Sequence, residues 1–260
     1  MRRPALHQTA LPLLRVLLHI CAFALLTALT QLGGIAWALS RLFRRPLLTF
    51  ALLYAGLTLL AVWVAPLTGR TALSCFAPGA LQVQSLLYCA ANRTYVTPEL
   101  KTLLQDAAAE VEAHHPGTQT LVLDAGFPFV TGFPLLPHLS HDDGEKVDLA
   151  FFYADAAGEY LPGRTRSPIG YFAFEQGTSN CPDQWLSLRW DLAWLQPLWK
   201  GYQLEPARNR LLIETLARDP RSGKIFIEPH LQQSLGLHNA KIRFQGCRAA
   251  RHDDHIHLQL

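Results

Sequence analysis

Between Val16 and Ser40 the chain carries no Asp, Glu, Lys or Arg, and a second apolar run, LLTFALLYAGLTLLAVWVAP, follows over residues 47–66. Each run is long enough to cross a hydrocarbon core about 30 Å thick. Two membrane-spanning helices are therefore expected, at about 16–40 and 47–66, joined by the basic break RLFRRP. The competing reading of the first run is a signal peptide. That would need an apolar stretch of only about 7–15 residues and a small-x-small cleavage site leading into soluble sequence, and neither is present.

Charge divides at the same boundary. Residues 1–66 hold Arg2, Arg3, Arg15, Arg41, Arg44 and Arg45 and no acid, so the net +3 conceals a +6 anchor and a −3 remainder. The basic residues flank apolar spans instead of clustering on a folded domain, so the pI of 8.6 gives no reason to expect a nucleic-acid partner. The three Arg between the spans favour a cytoplasmic loop, which places residues 67–260 outside. This topology leaves Arg2, Arg3 and Arg15 at the outer end of the first helix. With Cys21 inside a span, Cys75, Cys89, Cys181 and Cys247 form an even set in the remainder, which suits an oxidising compartment. Three pairings are open, and Cys75–Cys89 with Cys181–Cys247 is favoured only because its first loop is short.

Residues 67–97, small and polar and holding Cys75 and Cys89, read as a linker or a tied-down cap before a domain over 98–260. PELKTLLQDAAAEVEAH at 98–114 has apolar residues at helical spacing, with Thr97 as N-cap and Pro98 in the first turn. Short β-type runs follow at 120–127, 147–153, 169–175, 224–228, 241–245 and 255–260, with helical patterns in WDLAWLQPLWK and ARNRLLIETLARD between the third and fourth. The expected fold class is α+β, a mostly antiparallel sheet with helices, preceded by a two-helix transmembrane hairpin. The near-helical spacing of Trp185, Trp190, Trp194 and Trp199 favours packing in a core over stacking on a sugar.

Five of the 11 histidines fall in two clusters, PHLSHDDGEKVDL (137–149) and RHDDHIHLQL (251–260). On a strand, HIHLQL sends His255, His257 and Gln259 to one face and Ile256, Leu258 and Leu260 to the other. In the first cluster, Gly144 permits a turn between His141 and Asp148, so that a loop ligand and a strand ligand converge. Two His and one Asp make the donor set of a catalytic zinc site, with a fourth position left for water, and the remaining histidines are free to move protons. HExxH is absent, so this is not a helix-borne zinc site. Asp142, Asp143, Asp253 and Asp254 flank these residues and are expected to be solvated acids rather than partners of the imidazoles.

The clusters resemble the peptidase group that shares a fold with lysostaphin, D-Ala-D-Ala peptidases and the hedgehog signalling domain. Within it they are most similar to the penicillin-insensitive murein endopeptidases, with H-x-x-H-x6-D and a terminal H-x-x-H-x-H matched by His138, His141, Asp148, His252, His255 and His257. The resemblance runs over about residues 122–260 and is loose over 124–137, and the membrane segments are not part of the familiar enzymes. It implies Zn2+ bound by His141, Asp148 and His257, with His255 as catalytic base or oxyanion partner and His138 and His252 lining the site. It further implies hydrolysis of amide bonds in peptidoglycan peptide cross-links, on the periplasmic side of a bacterial inner membrane. A D,D- or L,D-carboxypeptidase would use the same residues. A membrane-tethered zinc module that binds cell wall or a partner without hydrolysis is the rival from another class.

Overall fold

The computed structural model describes residues 6–178, 181–182 and 186–260, with side chains from residue 12 onward. Arg2, Arg3 and Trp185 lie outside the described residues.

Three helices come first: α1 (Leu6–Thr30), α2 (Gly33–Ser40) and α3 (Pro46–Val64). Among the described residues, two helical segments, Pro12–Thr30 and Pro46–Thr68, are long and apolar enough to cross a membrane. The span expected over 16–40 is broken. Gln31 adopts a left-handed backbone (φ 63°), and the Thr30 hydroxyl accepts from Gly33 N at 2.8 Å. Helix α2 then folds back: Gly33 faces Leu26 and Thr30, Gly34 faces Phe23 and Thr27, and the Trp37 ring lies 5.7 Å from His19. Moving along α2 thus retraces α1 towards its start. A Cβ on Gly34 would come within 1.8 Å of the Thr27 hydroxyl, so glycine is what permits this approach. Phe50, near the start of α3, sits 5.7 Å from Trp37, and Leu32 clusters with Ala61 and Ala65 farther along α3. The chain has turned a second time. The expected two-helix hairpin is therefore replaced by two long helices running in the same sense, with α2 as a short return between them.

The stretch expected as linker or cap contains β1 (Thr71–Ala72), β2 (Leu81–Val83), α4 (Leu86–Ala90) and β3 (Tyr95–Val96). It also supplies an edge strand of the main sheet. After it come α5 (Pro98–His114), β4 (Thr120–Val122), β5 (Lys146–Ala150), β6 (Tyr153–Ala154), β7 (Gln203–Leu204), α6 (Pro206–Arg218), β8 (Lys224–Phe226), α7 (Pro229–Ser234), β9 (Ile242–Arg243) and β10 (His255–Gln259). The main sheet has the order β2-β4-β5-β10-β8-β9. Its central pairs β4–β5, β5–β10 and β10–β8 are antiparallel, and its edge pairs β2–β4 and β8–β9 are parallel. The domain is α+β.

Helix α5 starts as its sequence dictates. The Thr97 side chain accepts from Leu100 N at 3.3 Å, and Pro98, in the first turn, loses no hydrogen bond there. Its apolar stripe, Leu100, Leu103, Leu104 and Val111, packs with Leu212, Ile213 and Leu216 of α6 against Val147 and Leu149 of β5 and Ile256 and Leu258 of β10. Full burial of each such leucine or isoleucine contributes about 1.5–3 kcal/mol. The period of two in a strand then fixes the opposite face: Asp148, His255 and His257 point away from the helices.

Two expected elements are absent. Residues 169–175 form no strand, because Gly170 (φ 81°) and Phe172 (φ 65°) leave the extended region. A Cβ on Gly170 would meet Leu123 at 2.3 Å. Residues 190–200 form only a 3-10 turn at Gln196–Leu198, since Leu192 is left-handed (φ 45°) and Pro197 has no N–H to continue a helix. Trp190 and Trp194 are 56% and 72% exposed, so the core packing expected for them fails. Trp199 is half-buried and donates from its indole N–H to Phe172 O at 2.8 Å.

Disulfides join Cys75 to Cys89 and Cys181 to Cys247, and Cys21 is free. A maleimide added to the unreduced, denatured protein is expected to label Cys21 alone. Labelling of any of the other four would contradict this pairing. Reduction is expected to cost about 2–5 kcal/mol of stability, measurable by denaturant titration with and without reductant.

Candidate metal centre

Asp148 is fully buried at the centre of β5, and its strand partner on β10 is His257. This register brings the two side chains together. His257 Nδ1 lies 2.8 Å from Asp148 Oδ1. His141 arrives from the loop before β5, where Gly144 (φ 78°) makes the turn anticipated in the sequence and packs on the Arg70 guanidinium. Arg70 braces that loop by donating to Thr131 Oγ1 at 3.0 Å and Asp142 O at 3.3 Å.

The His141 ring is oriented by donation from Nδ1 to Ala125 O at 2.9 Å. A carbonyl can only accept, so in the neutral ring Nε2 carries the lone pair. That nitrogen lies 3.2 Å from His257 Nδ1 and 3.3 Å from Asp148 Oδ1. Three donor atoms therefore form a triangle with edges of 2.8, 3.2 and 3.3 Å. For metal bonds of about 2.0–2.1 Å, the edge of a tetrahedron is about 3.3 Å. Two imidazole nitrogens and a carboxylate converging in a buried space present lone pairs to one another unless protons or a cation lie between them. His141, Asp148 and His257 could hold a metal ion. His252, His255 and His257 form a second such group, with donor atoms within 4.8 Å. Both groups include His257, and only the first includes an anion.

The surrounding groups define the protonation states. Burial would raise the Asp148 pKa, but the imidazoles of His141, His255 and His138 hold it well below the usual carboxylate range. Burial and the neighbouring imidazoles drive His252 well down, and burial outweighs the hydrogen bond that Asp148 accepts from His257 to leave His257 at about 4. For His255 the balance is reversed: burial pulls it down, yet Asp148 and Asp254 lift it to about 9. Its Nδ1 is fixed by Asp254 Oδ1 at 2.5 Å, while Nε2 faces Asp148 Oδ1 at 3.6 Å. If Asp148's charge is committed to a cation, that attraction is lost and His255 moves back towards a neutral base.

His138 donates from Nδ1 to Asp124 Oδ2 at 2.9 Å and lies 3.3 Å from Asp148 Oδ2. His252 is buried beside His255 and His257, with ring centroids 5.0 and 5.6 Å away. All six residues singled out in the sequence are thus within one site.

Other members were not anticipated. Tyr171, on the irregular loop, donates to Asp148 Oδ2 at 2.7 Å and accepts from Asp124 N at 3.2 Å. Asp124 is buried and held by Arg93 through two contacts of 2.5 Å. Asp124 ends the apolar run TLVLD, a position from which an acid can enter a site, but no sequence spacing marks Tyr171 or Arg93. The solvated reading fails for Asp253 and Asp254. Both are buried, Asp253 bonded to Arg251 at 2.5 and 3.0 Å and Asp254 accepting from Phe172 N at 2.6 Å. Asp142 and Asp143 remain partly exposed, and Asp143 pairs with Lys146.

A comparison with protein-family models finds no match for the chain, and a comparison with curated proteins finds none either.

Proposed function

We propose that this protein is a membrane-anchored zinc peptidase that hydrolyses amide bonds in peptidoglycan peptide cross-links. The observation that carries this reading is the asymmetry of the centre. Three donor atoms converge from His141, Asp148 and His257, while the imidazoles of His138 and His255 stand beside them against open cavities. A structural zinc site would more often be closed by a fourth protein ligand. Zinc held there supplies a polarised carbonyl and a bound water with its pKa lowered to about 7.

The chain's own residues do the rest. Asp254 fixes the His255 ring so that Nε2 is available to take a proton from the attacking water and return it to the leaving amine. His138, oriented by Asp124, is positioned to donate to the oxygen that gains charge as the carbonyl becomes tetrahedral. Tyr171 holds the carboxylate of Asp148 in place. His252 is buried beside His255 and His257 and lines the site.

The test is incubation of the purified full-length protein with muropeptide dimers. Cleavage to monomers, abolished by chelator and restored by zinc, supports the assignment. Loss of only a terminal D-residue favours the carboxypeptidase reading, and zinc binding with no cleavage favours the non-catalytic module.

The same reading includes a revised topology. Because α1 and α3 run in the same sense, Arg15 and the Arg41, Arg44 and Arg45 turn fall at one end of the helical unit, and the domain docks at the other. There, Phe129 N donates to the Gln31 side chain at 3.0 Å and Asn92 to Thr30 O at 3.3 Å. One cytoplasmic face then carries Arg15, Arg41, Arg44 and Arg45, which suits the positive-inside tendency better than a hairpin does. Reporters at the N-terminus and in the 41–45 turn are expected to be cytoplasmic, and one after Leu260 periplasmic. An N-terminal reporter active outside would restore the hairpin.

A further inference from the structure

The site does not open only to solvent. A small cavity beside it, lined by His138, His255, Asp254 and Trp190, shares His138, Tyr171 and Phe172 with a much larger groove of about 530 Å³. The far wall of that groove consists of Leu26 and Leu29 of α1 and Phe50 and Tyr54 of α3, and its near wall includes Leu87, Tyr88 and His138. Its size is that of a ligand pocket. The lining is almost wholly apolar, and one end is built from helices apolar enough to lie in a bilayer.

Resting on the peptidase reading above, we propose that this groove takes the lipid tail of a membrane-anchored substrate and delivers the attached peptide to the metal centre. The surface this groove exposes is almost all apolar, with the polar groups Arg93, Asp124 and His138 at the end near the metal centre, so a hydrocarbon chain is the occupant its chemistry suits. A tail passing from bilayer to groove exchanges one apolar environment for another. Drawing it through water instead would cost roughly fourfold in kcat/KM for each methylene exposed. The groove removes that penalty over the distance between the helices and His138. Leu87 is 58% exposed and Leu29 is 39% exposed, and both line the groove. The substrate class is therefore a cross-linked peptide that still carries a lipid anchor.

The experiment uses the full-length protein in nanodiscs and one muropeptide dimer prepared both free and with a palmitoyl chain attached. Wild-type protein is expected to prefer the acylated dimer by at least about tenfold in kcat/KM, from the methylene increment above. Leu29→Trp and Leu87→Trp, which fill the groove from either wall, are expected to lower that preference at least about tenfold by the same increment. Leu17→Trp, on an exposed face of α1 outside the groove, should leave it unchanged. Equal cleavage of both dimers by wild type, or a preference insensitive to the groove variants, overturns the proposal. If neither dimer is cleaved, the peptidase reading fails, and the groove is judged separately with a photoreactive acylated dimer. Crosslinking to Leu87 or Tyr54 that excess acylated dimer competes away supports the lipid route. Crosslinking by a photoreactive phospholipid that the dimer cannot displace identifies bilayer lipid as the occupant and overturns it.

Discussion

Replacing His257 by Ala is expected to remove metal and activity together. His257 is the shared corner of the donor triangle, 2.8 Å from Asp148 and 3.2 Å from His141, and two remaining ligands hold zinc poorly. The fall in metal affinity should exceed the roughly 10–100-fold that loss of an outer-sphere partner costs. The domain should remain folded, because Ile256 and Leu258 on the other face of β10 still fill the core. Metal content per chain, measured beside a circular dichroism spectrum, checks this. Zinc near one per chain in folded His257→Ala would mean that the metal sits elsewhere.

His255→Ala is expected to behave differently although it lies only two residues away. Its ring is tied to Asp254, and its free nitrogen stands 3.6 Å from the Asp148 carboxylate, outside the tight triangle. Zinc should stay near one per chain while turnover falls by about 10²–10⁴-fold, the usual contribution of a positioned acid–base group. Comparing zinc content with single-turnover rates separates the two roles. If His255→Ala loses metal while His257→Ala retains it, the two assignments are exchanged and His255 is the ligand.

The parts of this site legible in the sequence were those governed by local periodicity. Alternation in HIHLQL put His255 and His257 on one face, and the same rule places Asp148 opposite the apolar Val147 and Leu149. Helix α5 was readable from its spacing and its Thr97 cap. What could not be read depends on contacts distant in sequence. Gln31 breaks the first apolar run because α2 can pack closely on α1 through Gly33 and Gly34, and hydropathy alone does not register that packing. Tyr171 reaches Asp148 from a loop whose shape is imposed by Leu123 against Gly170 and by Asp254 binding Phe172 N. Asp253 and Asp254 look like solvated acids until the partners that let them be buried, Arg251 and the 172 backbone, are brought to them. The tryptophan spacing suggested a helix, but Pro197 and the turn at Leu192 leave no helix for those side chains to pack from.

The central claim is that His141, Asp148 and His257 form a metal centre open on one side, and its most direct test is zinc X-ray absorption on the full-length protein purified without chelator. One zinc per chain is predicted, with only nitrogen and oxygen neighbours at about 2.0–2.1 Å and with the signal lost in Asp148→Asn. A sulfur shell, or a zinc signal unchanged in Asp148→Asn, would contradict the account.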